Sequence, residues 1–424
     1  MESISPGPGT EVGSSYIEAG TRTFWRVNIA TVAGGFCTFA LIYCVQPLMP
    51  LLADTFQVTP TQSSLALSFT TGMLAIGLLA TGIASEMLPR KSLMAASLVV
   101  SALLTVGTAV APTWHSLLVT RALAGFTISG FPAVAMAYVS EEIHPKAGGL
   151  AMGVYIGGNA FGGMSGRLVT GVLTDLLSWR WAIGLIGALG ICASLLFWLL
   201  LPPSRHFTPR SPNLRVAKSA LFRHFHDRGL VLLFVMGFLL MGSFVSVYNY
   251  LSFRLVAPPY GLSQTAVGLL FTVYSVGVFS SAWAGNMVAR HGHGVMLLGM
   301  VMVMAAGLAI TLLHSIWAIL AGLIVFTFGF FGGHAVVSAW IGVRAQTAKA
   351  VASSFYLFSY YGGSSVSGTL TGLCWSAWGW GGVSAAVAGL LVVALLVVLS
   401  LKRLPSLAPL AGEPVAVQRD IGTA

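Results

Sequence analysis

Long apolar runs alternate with short polar breaks along almost the whole chain. Each run holds about 20 residues or more, the length that an α-helix needs to cross the hydrocarbon core of a bilayer. The runs are continuous and do not alternate residue by residue, so they predict helices and not the strands of a membrane barrel. We predict twelve spans, at 26–50, 61–84, 92–111, 114–139, 148–174, 180–201, 229–253, 264–288, 294–313, 316–341, 350–374 and 379–401.

The spans fall into two halves that resemble each other. At an offset near 200 residues, Phe161-Gly162-Gly163 matches Tyr361-Gly362-Gly363. Parallel repeats of six spans are typical of secondary transporters, in which the substrate site lies near the midplane between the repeats. We predict an all-α membrane protein of two six-helix bundles, divided into an N-terminal tail (1–25), a first bundle (26–201), a linker (202–228), a second bundle (229–403) and a C-terminal tail (404–424).

Composition supports this class of protein. The chain is 56% hydrophobic and only 8% charged, whereas soluble proteins carry about 25% charged residues. The net charge of +10 does not indicate a nucleic-acid partner, because the basic residues lie between the apolar runs and form no stripe. With the N-terminus inside the cell, all of the Lys and Arg residues are cytoplasmic except Arg121, Arg167, Arg180 and Arg254. This bias predicts that both termini are cytoplasmic. The basic linker fits either contact with anionic headgroups or a solvated loop.

A motif follows the second span. The loop contains Gly82, Glu86, Arg90 and Lys91, and it resembles the loop signature of the major facilitator superfamily. Glu86 stands where Asp is usual, and Pro89 where Gly is usual. The resemblance implies the fold of that superfamily and a gate on the cytoplasmic side.

The resemblance also implies the partners of this loop. Glu86 is expected to face the start of span 11, near 349–354, and Arg90 is expected to pair with Glu141 or Glu142. A carboxylate at a helix N-terminus is favoured by the helix dipole. These contacts would close the cytoplasmic side in an outward-facing state. The alternative is that the charges only fix the topology.

Two further motifs resemble signatures of the superfamily. Arg121 in span 4 matches an arginine that the family links to proton coupling, although it would also suit a structural tie between helices. Span 5 resembles the glycine signature of exporters, with Arg167 in place of the last glycine. Its glycines are expected to pack helices closely: Gly158, Gly162, Gly163 and Gly166. Gly163 stands where exporters have Pro, which weakens the inference of antiport.

Acidic residues are absent from the middle of every predicted span. Pumps for lipophilic cations often hold a buried carboxylate, so the arginines inside the spans favour a neutral or anionic solute. The candidates for coupling are Arg121, Arg167, Asp54, Asp175 and His334, and histidine titrates near neutral pH. A lone histidine in a span also suits ordinary hydrogen bonding.

The resemblance places spans 1, 4, 7 and 10 at the centre, with spans 2, 5, 8 and 11 flanking it. The candidate cavity residues are Tyr43, Gln46, Asn159, Tyr274, Tyr360 and Tyr361. Tyr248 and Asn249 are equally compatible with the interfacial belt. For each of these side chains, core packing is an alternative to ligand contact.

The function that these observations predict is proton-coupled efflux of a small neutral or anionic organic solute, such as a sugar or drug-like compound. The end of span 1, 43–50, and the run 159–167 resemble bacterial inner-membrane efflux permeases of the arabinose and drug exporter type. Proton-linked uptake and a transporter-like sensor remain alternatives. We expect a monomer in the inner membrane, with a solute, protons and the bilayer as partners. We expect no enzymatic activity, cofactor or metal, because no catalytic set, metal cluster or nucleotide-binding loop is visible.

Overall fold

The computed structural model describes residues 16–209, 223–346 and 348–404, apart from the side chain of Ala350, and it is almost entirely helical there. An isolated bridge joins Ile17 to Ile143. The predictions for the N-terminal tail, the linker and the C-terminal tail fall partly on 1–15, 210–222 and 405–424, outside the described residues.

The first half contains eight helices, because two predicted spans are interrupted. They are α1 Arg22–Tyr43, α2 Met49–Phe56, α3 Pro60–Ala84, α4 Arg90–Ala109, α5 Trp114–Ile128, α6 Pro132–Glu142, α7 Pro145–Leu176 and α8 Trp179–Leu200. Span 1 does not run unbroken from 26 to 50, since α1 ends at Tyr43 and the 3₁₀ turn Gln46–Leu48 leads into α2. Pro47 and Pro50 cannot continue a regular ladder of helical hydrogen bonds. Span 4 is likewise broken before Pro132.

The second half has fewer but longer helices. They are α9 Arg228–Val256, α10 Gln264–Leu270, α11 Tyr274–His291, α12 His293–Ile310, α13 Ile316–Arg344 and α14 Lys349–Arg403. A 3₁₀ turn joins α10 to α11. α14 covers both of the last predicted spans, and it breaks at Trp378 and Gly379. Gly379 has a φ of +56°, which is accessible to glycine at little cost.

Within the described ranges, ten helical stretches are long and apolar enough to cross a membrane. This total counts α14 once despite its break, and it leaves out α7, which has 32 residues. The architecture therefore contains about ten to twelve apolar helices. The number twelve stays a prediction.

The helix termini collect at two ends of the bundle. We call one the basic end, because Arg90, Lys91, Arg344 and Lys402 lie at helix termini there. The other, the opposite end, contains the connections α4–α5, α7–α8 and α12–α13. Arg180 lies at this opposite end and donates to the carbonyls of Ala109 and Ala111, each at 2.9 Å. It thus satisfies carbonyls that the end of α4 leaves free.

The two halves repeat the same helix contact. Gly162 of α7 lies against the backbone of Phe36 in α1, and Gly363 of α14 lies against the backbone of Phe238 in α9. In both pairs, an added Cβ would collide with a carbonyl oxygen. The structural repeat therefore has an offset of 201 residues for these glycines, one more than the sequence match gives.

Contacts between the halves lie near the opposite end. On one seam, α3 meets α14: Thr369 Oγ1 bonds Ser68 Oγ at 2.7 Å, and Ser365 Oγ donates to the Ser68 carbonyl at 2.8 Å. On the other seam, α7 meets α10, where an added Cβ on Gly171 would lie 2.5 Å from the Gln264 carbonyl oxygen. The described structure is thus closed at the opposite end.

Candidate functional site

A buried arginine lies between the two halves. Arg167 in α7 is 2% exposed, and its Nε donates to Gln46 Oε1 at 2.7 Å. Its Nη1 donates to the carbonyl of Gly163 at 2.6 Å, one helical turn earlier. The guanidinium lies over the Tyr43 ring at 3.9 Å. Gly163 makes this possible, because a Cβ there would lie only 3.3 Å from Nη1.

Residues of the second half complete the surroundings of Arg167. The rings of Phe271 and Tyr274 each lie 4.8 Å from its guanidinium carbon. Gln46, which is fully buried, donates from Nε2 to Asn249 Oδ1 at 2.8 Å. The hydrogen-bonded chain Arg167–Gln46–Asn249 therefore connects the two halves. This arginine and three residues around it were predicted for the site or its coupling, and the structure brings them together: Arg167, Tyr43, Gln46 and Tyr274.

Asn249 was missed as a bridging residue, since its position near the predicted span end also suits the interfacial belt. The structure buries it completely. Its Nδ2 has no hydrogen-bond partner among the described residues. A Cβ added to Gly368 would lie 3.3 Å from this nitrogen, so the glycine leaves space beside Asn249.

A second cluster of polar rings lies in the second half. His334 Nδ1 and the Tyr356 hydroxyl are 2.6 Å apart, and the His334 and Tyr360 rings have centroids 4.8 Å apart. Tyr360 meets Tyr361 edge to face at 5.2 Å. Tyr356 was not predicted, although its spacing of four residues from Tyr360 puts both on one helix face.

Asn159 lies where α7 meets α1. Its Oδ1 occupies the space in which a Cβ of Gly35 would stand, and this oxygen has no partner among the described residues. Three of the predicted packing glycines, Gly158, Gly162 and Gly166, face α1 backbone. Gly163 instead faces Arg167, as described above.

Arg121 is separate from this centre. It is fully buried in α5 and donates to the carbonyls of Leu41 at 3.0 Å and Ile42 at 2.6 Å. Its Nε lies 3.4 Å from the carbonyl of Ala66 in α3. Because α1 ends at Tyr43, the carbonyls of its last turn lack helical partners, and Arg121 supplies the donors. The geometry is that of a tie between helices.

The loop after the second predicted span, which carries the gate motif, makes some but not all of the contacts predicted for it. Arg90 pairs with Glu141 at 2.7 Å, and its Nη1 also donates to the Ser85 carbonyl at 2.6 Å. Lys91 Nζ lies 4.7 Å from the Trp198 ring centroid. The exposed side chain of Glu86 makes no hydrogen bond or ion pair among the described residues, so it does not pair with the start of α14. That contact was predicted for a state closed on the cytoplasmic side, whereas this structure is closed at the opposite end. Gly82 has open space around it.

Glu142 does not pair with Arg90. It is 1% exposed, and Oε1 accepts from the amides of Arg205 at 2.7 Å and His206 at 2.9 Å, as well as from the Ser204 hydroxyl. Oε2 lies 3.2 Å from His206 Nδ1. Glu142 thus fixes the start of the linker on the first half.

The two acids predicted near the opposite end differ in their environment. Asp175 accepts from the amides of Gln264 at 3.2 Å and Thr265 at 2.7 Å across the seam. It lies just beyond predicted span 148–174. Burial alone would raise the pKa of Asp175, but the hydrogen bonds from Thr265 and Gln264 outweigh it and hold this pKa below its ordinary value. The Asp54 side chain is exposed. Among the described residues, no group of His, Cys, Asp and Glu could hold a metal ion.

Comparison with known proteins decides the family. The model of the major facilitator superfamily matches residues 31–257. The chain belongs to the major facilitator superfamily. The inner membrane transport protein YnfM of Escherichia coli is 48% identical over 384 residues, which cover 91% of this chain and 92% of YnfM. The MFS-type transporter YybF of Bacillus subtilis is 46% identical over 381 residues, 90% of this chain and 94% of YybF.

Solved structures show the same fold. A bacterial homologue of the human lysosomal transporter Spinster, crystallised inward-facing and unoccupied, has a TM-score of 0.74 at 16% identity, covering 91% of this chain and 98% of the homologue. A mutant of the nucleoside transporter NupG has a TM-score of 0.71 at 15% identity, covering 90% and 100%. The predictions of superfamily membership and of a transporter instead of an enzyme are confirmed. This member of the superfamily is a multi-pass membrane transporter.

Proposed function

We propose that the protein carries out proton-coupled efflux of a small neutral or anionic organic solute by alternating access. The observation that carries this proposal is Arg167, a buried cation between the two halves with no carboxylate in ion-pair distance among the described residues. A positive centre repels cations and favours neutral or anionic solutes. The rings of Tyr43, Phe271 and Tyr274 provide apolar surface for the body of such a solute.

The orientation follows from the charges at the basic end, which we propose to be cytoplasmic. Twelve spans with both termini in the cytoplasm then cross the bacterial inner membrane, in accord with the similarity to YnfM, an inner membrane transport protein. In this orientation the structure is closed towards the outside, and a solute would enter from the cytoplasm. Entry from the cytoplasm is the first step of efflux. The halves 26–201 and 229–403 would move as the two rocking bundles.

Proton coupling has two candidate positions. His334 forms a polar cluster with Tyr356 and Tyr360 beside the centre, and Asp175 lies on the outer seam. Between the two we favour His334, because Asp175 already accepts hydrogen bonds from the amides of Gln264 and Thr265. Proton-linked uptake remains the second candidate, since Gly163 stands where the exporter signature has Pro.

The test is flux through the purified full-length protein in proteoliposomes with an imposed pH gradient. The panel contains arabinose, benzoate and a quaternary-ammonium dye, and lumen pH is recorded together with solute. Solute movement opposite to proton movement supports antiport, and movement in the same direction shows uptake-type symport. Equal flux with and without the gradient contradicts proton coupling, and transport of the dye in preference to the others contradicts the substrate class.

His334→Gln tests the proposed proton carrier. We expect solute exchange without a gradient to persist and gradient-driven accumulation to be lost. The matched control is His314→Gln, a histidine of the α12–α13 connection at the opposite end. Accumulation that survives in His334→Gln excludes this residue from coupling.

A further inference from the structure

Arg167 has hydrogen-bonding capacity that the protein does not use. Arginine carries N–H groups on all three guanidinium nitrogens. Nε is bonded to Gln46 and Nη1 to the Gly163 carbonyl, while Nη2 makes no hydrogen bond among the described residues. Nη2 is also not one of the fully buried polar atoms that lack a partner, so it is accessible and can donate to an acceptor on a ligand.

The surroundings of Arg167 restrict what this acceptor can be. The guanidinium carbon lies over the rings of Tyr43, Phe271 and Tyr274 at 3.9, 4.8 and 4.8 Å, so aromatic rings line the space beside Arg167. A carboxylate binds the edge of a guanidinium with two parallel hydrogen bonds in the guanidinium plane. A planar or apolar body attached to the carboxylate would then lie along the rings.

Gln46 occupies part of the same edge. Its Oε1 accepts from Nε of Arg167 at 2.7 Å, and its Nε2 donates to Asn249 at 2.8 Å. A carboxylate that bonds both Nε and Nη2 must displace this amide oxygen. Since Gln46 is held by Arg167 on one side and by Asn249 on the other, its release would weaken a link between the two halves.

We propose that Arg167 binds the carboxylate of an organic anion with an apolar body, and that Gln46 holds its place while the site is empty. The inference rests on the proposed function and deepens it, because it names the substrate class and the element that binding releases. Asn249, the second partner of Gln46, has a fully buried Nδ2 that lacks an acceptor among the described residues, so the link through Gln46 is incompletely satisfied. A ligand bound at Arg167 releases Gln46, and the contacts that close the opposite end then weaken.

Equilibrium binding tests this site without any gradient. The purified full-length protein in detergent is titrated at pH 7 with benzoate, phenylacetate and hexanoate, and with the neutral amide of each. Thermal shift and isothermal titration report binding. We expect at least one acid to bind, with its amide at least about tenfold weaker, because a charge-assisted pair is lost.

Four variants separate the roles of the residues. Arg167→Gln should abolish binding of the acid, and Arg167→Lys should weaken it, since lysine lacks the planar edge. Gln46→Leu should strengthen binding about tenfold, because it removes the competing acceptor. Arg180→Gln is the control, an arginine whose bonds go to backbone carbonyls at the opposite end, and its affinity for the acid should be unchanged.

The release of the outer closure has its own readout. A Ser68→Cys reporter, in a background whose four native cysteines are alanine, lies on the seam and is 2% exposed. Acid that binds should speed its reaction with a membrane-impermeant maleimide, and Gln46→Leu should do so without ligand. Arg167→Gln should abolish the ligand effect.

Several results would overturn the inference. Binding of none of the three acids, equal binding of acids and amides, or acid binding that persists in Arg167→Gln each removes Arg167 as the anion site. Weaker binding in Gln46→Leu makes Gln46 a ligand contact instead of a competitor. Proton-driven efflux of arabinose without acid binding would retain the proposed function and refute this inference. Acid binding together with flux that is equal with and without the pH gradient would retain this inference and refute proton coupling.

Discussion

The carboxylate of Asp175 accepts a hydrogen bond from the backbone amide of Thr265 at 2.7 Å, joining α7 of the first half to α10 of the second. The amide of Gln264 adds a second bond at 3.2 Å. A negative charge at a helix start is favoured by the free amides and by the helix dipole. The contact therefore stabilises the state that is closed at the opposite end.

Removal of this carboxylate should loosen the closure. In Asp175→Ala, we expect the Ser68→Cys reporter on the other seam to react several-fold faster with an impermeant maleimide, because a link between the halves is lost. Asp54→Ala is the charge-matched control, since Asp54 is an exposed acid at the same end. Equal labelling rates in the two variants would show that Asp175 does not hold the seam.

The same contact predicts a pH dependence. The pKa of Asp175 is lowered, so the charged form is the one that the closed state stabilises. The stabilisation is fully present above the ordinary pKa of about 3.9 and is lost as pH falls through the lowered value. Maleimide reacts with the thiolate, so each labelling rate is divided by that of a free cysteine at the same pH. The corrected rate of the reporter should be unchanged from pH 8 to pH 5 and should rise only in stronger acid. A change centred near pH 6 would point to a histidine and not to Asp175.

The attachment of the linker to Glu142 predicts how fast a protease cleaves the start of the linker. Glu142 accepts hydrogen bonds from 204–206 and is almost fully buried, whereas neighbouring Glu141 pairs with Arg90. We expect trypsin to cleave after Arg205 about tenfold faster in Glu142→Gln, because loss of charge-assisted bonds favours local opening. Glu141→Gln removes a charge from the same turn and should leave this cleavage within about twofold. Similar rates in both variants would contradict the assignment.

The sequence predicted most of the helices but not the breaks inside spans 1 and 4. Pro47 and Pro50 were visible inside the first span, but hydropathy alone does not separate a broken span from a continuous one. The Arg90–Glu141 pair was one of two pairings that the family resemblance allowed. Arg90 pairs with Glu141 because Glu142 instead accepts hydrogen bonds from the start of the linker, 204–206.

The centre of the site was only partly predictable. Depth and polarity pointed to Arg167 and Gln46, but not to the contact of Gln46 with Asn249, which lies 203 residues away in the other half. Such a pair depends on how the two bundles dock, and single-sequence periodicity contains no information about docking. The sequence also did not separate the role of Arg121 from that of Arg167. In the structure, Arg121 donates to carbonyls at the end of α1. Nη2 of Arg167 makes no hydrogen bond among the described residues.

Arg121 gives a prediction that separates structure from coupling. Each buried acceptor that loses its donor costs about 1–3 kcal/mol, so Arg121→Ala should lower the thermal stability clearly. Arg121→Lys should recover part of it, since lysine can reach one of the carbonyls of Leu41 and Ile42. Tryptophan fluorescence on heating measures stability, and proteoliposomes measure the ratio of protons to solute. An unchanged stability with lost coupling in Arg121→Lys would make Arg121 a coupling residue instead.

Two adjacent glycines test the packing of the halves. A Cβ on Gly363 would collide with the Phe238 carbonyl, whereas nothing lies within 4 Å of a Cβ on Gly362. Gly363→Ala must push α14 away from α9, at a cost of about 1–3 kcal/mol or more. Gly362→Ala should be neutral or slightly stabilising, because alanine favours helix.

The first half offers the same comparison. Gly162 lies against the Phe36 backbone, while Gly157 on the same helix has open space. We expect Gly162→Ala and Gly363→Ala to lose the monodisperse peak in detergent or to melt at lower temperature, and Gly157→Ala and Gly362→Ala to match the wild type. Because the two close contacts are related by the internal repeat, their costs should be similar. If Gly363→Ala is tolerated while Gly162→Ala is disruptive, the two halves do not share this close contact.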